Sequence, residues 1–246
     1  LNPKNTELKL IVIIAIIIFL ISNVFRKFEF SIDYIIVFTA FITAAMCHEV
    51  AHGYAAYLFG DDTAKREGRL SFNPIKHIDI KGLLLPLLLL LSGTKFLIGW
   101  AKPVPVDFDN LRPHRLGFFV VAVAGIVVNF ILAGISLILL RTMFHASYHI
   151  FYEDILVKGS LGTEIIVKFL IYFCFINILR AIFKIIYITL LDGMRIIYSF
   201  APKHIRAFYD KIEKYGIIIV FLLLWAGLFS NVFEKVFDFL IKLLGG

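Results

Sequence analysis

The residues best equipped for chemistry lie close together in His48-Glu49-Val50-Ala51-His52, two imidazoles four positions apart with a carboxylate beside the first. Four residues turn an α-helix through about 400°, so the two rings sit one turn apart and about 40° from each other on one face. Imidazoles at that spacing can share one zinc ion. Glu49 is then placed to take a proton from metal-bound water and pass it to a leaving amine. Zinc lowers the pKa of its bound water to about 7, which makes hydroxide available at neutral pH. A catalytic zinc needs a third protein ligand and an open position. Leu58 stands ten residues after His48, which excludes the soluble metalloproteases that carry a third histidine there. Asp61, Asp62, Glu67 and His77 are nearby alternatives, and Asp192 in Leu190-Leu191-Asp192-Gly193 is a distant one. Spacing does not choose among them, and Asp-Gly ending an apolar run is also an ordinary helix-terminating turn.

The elements that must hold these residues are membrane helices. Of 246 residues, 60% are hydrophobic and 17% charged, too little polar surface for a water-soluble domain. The apolar residues fall in runs of about 20 or longer, enough to cross a ~30 Å hydrocarbon core. Candidate spans are Leu8–Phe25, Asp33–Phe59, Leu116–Leu140, Glu164–Asp192 and Gly216 to about Phe233. The net charge of +7 comes from basic residues between apolar runs, which fits anionic lipid headgroups rather than nucleic acid. Cys47 and Cys174 lie inside apolar runs and carry no redox argument. Three ionisable groups within five membrane residues are costly enough that a functional site outweighs a polar helix contact.

The run Leu83–Trp100 is interrupted by Pro86, Gly93 and Lys95, so it is either a sixth span or a re-entrant segment. Six spans would divide the loop Lys and Arg residues almost evenly between the two sides. A re-entrant run leaves only Arg26, Lys27, Arg141, Lys158 and Lys242 on one side, the bias that normally orients a membrane protein. This favours five spans with a cytoplasmic N-terminus. The patterns of 75–81 and 100–106, the latter with Pro103 and Pro105, predict short extended segments flanking the re-entrant run. Asn231–Leu244 places Glu234, Asp238 and Lys242 on one stripe, as an interfacial amphipathic helix would. The expected fold is all-α and polytopic, with five to six transmembrane helices. It comprises an N-terminal helix in 1–30, a zinc-site core in 31–195, and C-terminal transmembrane and amphipathic helices in 196–246.

Four stretches resemble the site-2 protease family of intramembrane zinc metalloproteases, in the small form without an inserted peptide-binding domain. They are His48-Glu49-Val50-Ala51-His52-Gly53, Asn73-Pro74-Ile75-Lys76-His77-Ile78-Asp79, Gly99-Trp100-Ala101-Lys102-Pro103-Val104-Pro105-Val106, and Leu191-Asp192-Gly193. The resemblance covers about residues 40–195. It implies one zinc per chain held by His48, His52 and Asp192, with Glu49 as general base. It also implies that the extended segments line the site, where an unwound substrate adds as a strand. Asn73 and His77 become candidates for contacting substrate or a metal ligand; the bland alternatives are a turn signal and a loop histidine.

The departures from the family lie before Asp192. Where the family usually has asparagine eight residues ahead and prolines between, this chain reads Lys184-Ile185-Ile186-Tyr187-Ile188-Thr189-Leu190-Leu191-Asp192, with Arg180 one turn earlier. Ala124-Gly125-Ile126 with Asn129 likewise resembles a family segment but lacks its proline. Lys184 then has three readings: snorkelling or pairing, stabilising a tetrahedral oxyanion, or impairing the site.

The function expected from these observations is hydrolysis of a peptide bond within, or near the cytoplasmic edge of, a substrate's transmembrane helix. The expected location is a prokaryotic cytoplasmic membrane, with the bilayer and a transmembrane-helix protein as partners. The rival readings are a catalytically silent homologue that binds membrane helices, and a metal transporter.

Overall fold

The computed structural model of the chain describes residues 31–80, 82, 87, 101–144, 148–151, 154–186 and 230–244. Leu8–Phe25, most of Leu83–Trp100, Asp192 with its neighbours, and the Gly216–Phe233 run up to residue 229 lie outside the described residues.

Helix α1 spans Ile32–Leu58, close to the predicted Asp33–Phe59. Ser31 is extended, and its side-chain oxygen accepts the Asp33 N–H at 3.2 Å, capping an end where Asp33 also complements the helix dipole. The helix stops because Gly60 adopts φ of 100°, which a Cβ would disfavour. The Gly60 N–H then donates to Tyr57 at 3.2 Å and the Asp61 N–H to Ala56 at 2.9 Å, a closed Schellman turn. A four-residue helix, α2, follows at Thr63–Arg66.

Helices α3, His114–Met143, and α4, Leu161–Ile186, are the next long elements. Together with α1 they are the three helices among the described residues that are long and apolar enough to cross a membrane. The chain is therefore an all-α membrane protein, as its composition requires. The α1 and α3 helices run antiparallel, because the Arg112 N–H donates to the Phe59 carbonyl at 2.7 Å just before α3 begins. The α3 and α4 helices are antiparallel as well, with Leu140 beside Val167 and the Cys174 thiol on the Ala133 carbonyl. At one end of the bundle Lys168 bridges Asp33 and Glu164 at 2.9 and 2.8 Å, tying α4 to α1. Lipid tails give no hydrophobic drive for helices to associate, so close packing of small side chains matters more. Ala40, Ala44 and Ala45 on α1, Ala133 on α3 and Ala181 on α4 are all buried accordingly.

Two features differ from the sequence expectation. The segment 75–81 is not simply extended, because Asn73 accepts the Ile75 N–H at 3.0 Å and Pro74 fixes φ, winding Pro74–His77 into a 3-10 turn. An unanticipated antiparallel pair is formed by β1, Tyr148–Phe151, and β2, Asp154–Val157, with His149 opposite Leu156. Its Ile155 and Val157 pack against Leu140 and Val167. The final helix, α5, spans Ser230–Leu244. Its Glu234, Asp238 and Lys242 are exposed while Val236 is buried against Ala133, Cys174 and Leu179, the expected amphipathic arrangement.

Candidate metal centre

Helix α1 carries both histidines and Glu49 in its C-terminal half, and its periodicity converges the rings. The His48 and His52 Nε2 atoms lie 3.0 Å apart, with ring planes 81° from each other. The His52 Nδ1 is 2.6 Å from the Val121 carbonyl on α3. A carbonyl only accepts, so that nitrogen carries the proton and the His52 Nε2 lone pair points at its neighbour. Two imidazoles on one tetrahedral zinc, each about 2.0–2.1 Å from it, have nitrogens roughly 3.3 Å apart. The pair is close to that separation without rearrangement, so these residues fit the metal that the motif implies.

His48 is buried against α3 at Gly125. A Cβ at Gly125 would lie 2.5–2.6 Å from the His48 Cε1, Nδ1 and Nε2 atoms, so only glycine lets the two helices meet around this ring. The small residue in Ala124-Gly125-Ile126 thus acts through its missing side chain.

Glu49, on the neighbouring face of α1, reaches the chain 101–107. Its Oε2 accepts the Val104 N–H at 3.1 Å. That segment forms neither helix nor strand and pairs with no strand among the described residues. Its backbone is fixed by individual partners instead. The Lys102 N–H donates to the His77 carbonyl at 2.9 Å, and Arg69 donates to the Lys102 and Pro103 carbonyls at 2.8 and 3.2 Å. The Asp107 N–H donates to Asp61 at 2.8 Å. Pro103 and Pro105 have no N–H to satisfy. Gly53, one residue after the motif, admits this layer, since a Cβ there would meet Leu70 at 2.6 Å and Val104 at 2.8 Å.

Asp61 is fully buried, and burial pushes its carboxyl up. Donors from the Thr63 hydroxyl and N–H, the Asp107 N–H and the Asn110 side chain outweigh this and hold it below the usual carboxylate range. Its oxygens are therefore engaged by the loop, not offered to the histidines. Asp62 pairs with Arg66 at 3.2 Å, and Glu67 is exposed. Burial holds His77 below the usual imidazole range; the Ser71 carbonyl, accepting at 2.7 Å, and Glu49 act against this, while the Arg69 and Lys76 charges add to it. Among the described residues, no group of three His, Cys, Asp or Glu side chains could hold a metal. The nearby alternatives for the third ligand are thus not assembled around His48 and His52, and Asp192 lies outside the described residues.

His77 is drawn toward the site by its link to Lys102, whereas Asn73 is exposed and caps its own turn. On α4, Lys184 and Arg180 both act electrostatically on His48, and Arg180 acts on Glu49 too. The Asp61 and Arg69 ties to residues 101–107 were not anticipated. The available signal was a buried-type environment for charges that flank apolar runs, which sequence alone does not localise.

A relative from Bacillus subtilis named "Putative zinc metalloprotease YwhC" is 38% identical over 201 residues, covering 82% of this chain and 84% of the relative. The chain belongs to the site-2 protease family. A second relative, "Putative zinc metalloprotease Rip2" of Mycolicibacterium smegmatis, is 25% identical over 147 residues, 59% of this chain and 55% of that protein. No family model matches the chain, and no solved structure matches it. Membership in the site-2 protease family accords with the paired imidazoles, the adjacent carboxylate and the membrane-length helix that carries them.

Proposed function

We propose that the chain is an intramembrane zinc endopeptidase that cleaves a peptide bond within, or near the cytoplasmic edge of, a substrate's transmembrane helix. The single observation that carries this reading is the convergence of the His48 and His52 Nε2 atoms beside Glu49 on a helix long enough to span a bilayer. His48, His52 and Asp192 would hold one zinc, which when bound supplies Lewis acidity to the reacting carbonyl and the attacking water. Glu49 removes a proton from the attacking water and delivers it to the departing amine nitrogen. The Val104 N–H holds one oxygen of that carboxylate, which leaves the other to take the proton. Lys184, whose charge acts on His48, stabilises negative charge on the scissile carbonyl oxygen.

A peptide bond inside a helix is shielded by its own hydrogen bonds, so the substrate unwinds locally before attack. Residues 101–107 lie beside Glu49 through Val104 and are in no helix, which supports their use as an edge along which unwound substrate adds. Helix-breaking residues near the scissile bond favour cleavage. The basic loops at this end support a site toward the cytoplasmic face.

The test compares membrane proteomes of cells carrying the wild-type chain or Glu49→Gln. The reading expects one or more membrane proteins to accumulate uncut with Glu49→Gln, and their cleaved fragments to appear with wild type. Identical fragment patterns would refute proteolysis. A second reading, a helix-binding homologue without turnover, is favoured by the two cations on α4 so near the site. That reading predicts function indifferent to Glu49→Gln.

A further inference from the structure

The chain that follows α2 exposes four large apolar side chains, Phe72, Ile75, Ile78 and Ile80, by 63, 75, 38 and 83%. Their depth decides what they face. The ion pairs of Lys168 with Asp33 and Glu164 mark one polar boundary of the bundle. A hydrocarbon core of ~30 Å measured from Asp33 at 1.5 Å per residue ends about 20 residues on, near Gly53. Leu70 packs on Gly53, where an added Cβ would lie 2.6 Å from it. The turn Pro74–His77 then packs against α1, and the His77 carbonyl accepts the Lys102 N–H at 2.9 Å. Lys102 is two residues from Val104, whose N–H reaches Glu49, one turn deeper than Gly53. Residues 70–78 therefore run back along α1 at the edge of the hydrocarbon instead of rising clear of it.

The polar groups of this segment agree with that depth. Non-helical backbone near hydrocarbon persists only where the protein itself meets its hydrogen bonds. The Ser71 hydroxyl accepts the Asn73 N–H at 3.2 Å, and the Asn73 side chain accepts the Ile75 N–H at 3.0 Å. The Asn73 carbonyl accepts the Lys76 N–H at 3.1 Å, and the buried His77 ring donates to the Ser71 carbonyl at 2.7 Å. Lysines surround the apolar side chains. The Lys76 Nζ lies 2.9 Å from the Gly68 carbonyl, exposed Lys102 is joined to His77, and exposed Lys65 holds its Nζ 4.5 Å over the Tyr57 ring. Asp62 is paired with Arg66 and Asp61 with its N–H donors, so these three lysines outnumber the remaining Glu67 and Asp79. Tyr54 and Tyr57 are exposed just past Gly53, where an interfacial aromatic belt belongs.

We propose that residues 70–80 are seated in the phospholipid leaflet at the C-terminal end of α1, with Phe72, Ile75, Ile78 and Ile80 among the acyl chains and Lys65, Lys76 and Lys102 on headgroup phosphates. Lysine suits this position, since its stem crosses apolar surface while its ammonium reaches the phosphate. The bilayer then takes part in building the site. The His77 carbonyl and Arg69, on either side of the seated turn, hold the backbone of Lys102 and Pro103 next to the N–H that binds Glu49. Neither zinc nor turnover enters the argument, so the seating stands or falls separately from the protease.

The test uses the full chain in lipid nanodiscs with a nitroxide at Phe72→Cys, Ile75→Cys or Ile80→Cys. Wild type treated alike gives the background from Cys47 and Cys174. Ile135→Cys, on the exposed face of α3, is the lipid reference, and Lys158→Cys is the aqueous one. All three labels should collide with oxygen more than with a water-soluble nickel chelate, as at Ile135. Preferential collision with nickel, as at Lys158, would put the turn in water and overturn the proposal. Shielding from both reagents would mean a protein surface covers it, which overturns the proposal equally. Replacing the lysines together, as Lys65→Gln, Lys76→Gln and Lys102→Gln, should shift the oxygen-to-nickel ratio at Ile75→Cys toward the aqueous reference; an unchanged ratio would refute the headgroup contacts. Hydrogen exchange in residues 101–107 should quicken when Phe72→Ser and Ile75→Ser are combined. Unchanged exchange would refute the leaflet's support of the segment beside Glu49.

Discussion

The two surfaces that meet the motif on α1 are built differently. On the Glu49 side, residues 101–107 are held by discrete polar ties, from Asp61 at one end and from Arg69 and the His77 carbonyl at the other. On the His48 side, α3 approaches through an absence, the missing Cβ of Gly125, and polar side chains one turn away have no protein partner among the described residues. The polar rim fixes a backbone segment against the catalytic carboxylate. The bundle core fixes the metal-binding ring by shape. Damage to each should therefore fail in a different way.

The largest effect should come from Gly125→Ala. Its new Cβ would overlap three atoms of the His48 ring, so the ring or the helix must shift. Zinc content should fall to near zero while the chain still inserts into membranes; retention of one zinc would show that the close approach is not needed. Lys184→Asn tests the chemistry on the same side. If Lys184 stabilises the developing oxyanion, kcat on a substrate identified by Glu49→Gln should fall about 10²- to 10³-fold with zinc retained. A rise in rate would favour the impaired-homologue reading.

A rim substitution should act more through stability. Asp61→Ala strands the partly buried Asp107 and Thr63 N–H groups and should cost about 1–3 kcal/mol, read as a lowered unfolding midpoint, with zinc still bound in the folded fraction. Its pH dependence has a definite sign. The Asp61 carboxyl is held below its unfolded value of about 3.9, so its contribution is complete above that pH and disappears as pH falls through the lower folded value. The gap between wild type and Asp61→Ala should therefore be widest near neutrality and close in strong acid. A gap that widens on acidification would contradict the assignment. The smallest effect is expected at the far end of the bundle, where Asp33→Asn removes one of two partners of a partly solvated Lys168. A loss of no more than about 1 kcal/mol is expected there.

Much of this architecture is legible in the sequence because membrane spans announce themselves. Two long helices and the amphipathic tail begin and end within a few residues of their expected positions, and α4 begins within three of its expected start. The convergence of His48 and His52 follows directly from helical periodicity. The pair of β1 and β2 was missed because its strands are four residues each, shorter than a period-2 pattern needs to stand out. The alternation in 75–81 predicts extended chain, but the turn that Asn73-Pro74 signals runs on through His77. The roles of Gly125, Asp61 and Arg69 depend on which helices become neighbours, and no local pattern encodes that.

The central claim is that His48 and His52 hold a metal for Glu49 to exploit. Zinc per chain in the purified full-length protein tests it most directly, because no substrate is required. Wild type and Glu49→Gln should each carry about one equivalent, and His52→Ala and Asp192→Ala should lose or weaken it. Absence of zinc from the wild type after metal is restored, or undiminished zinc in His52→Ala, would contradict the account.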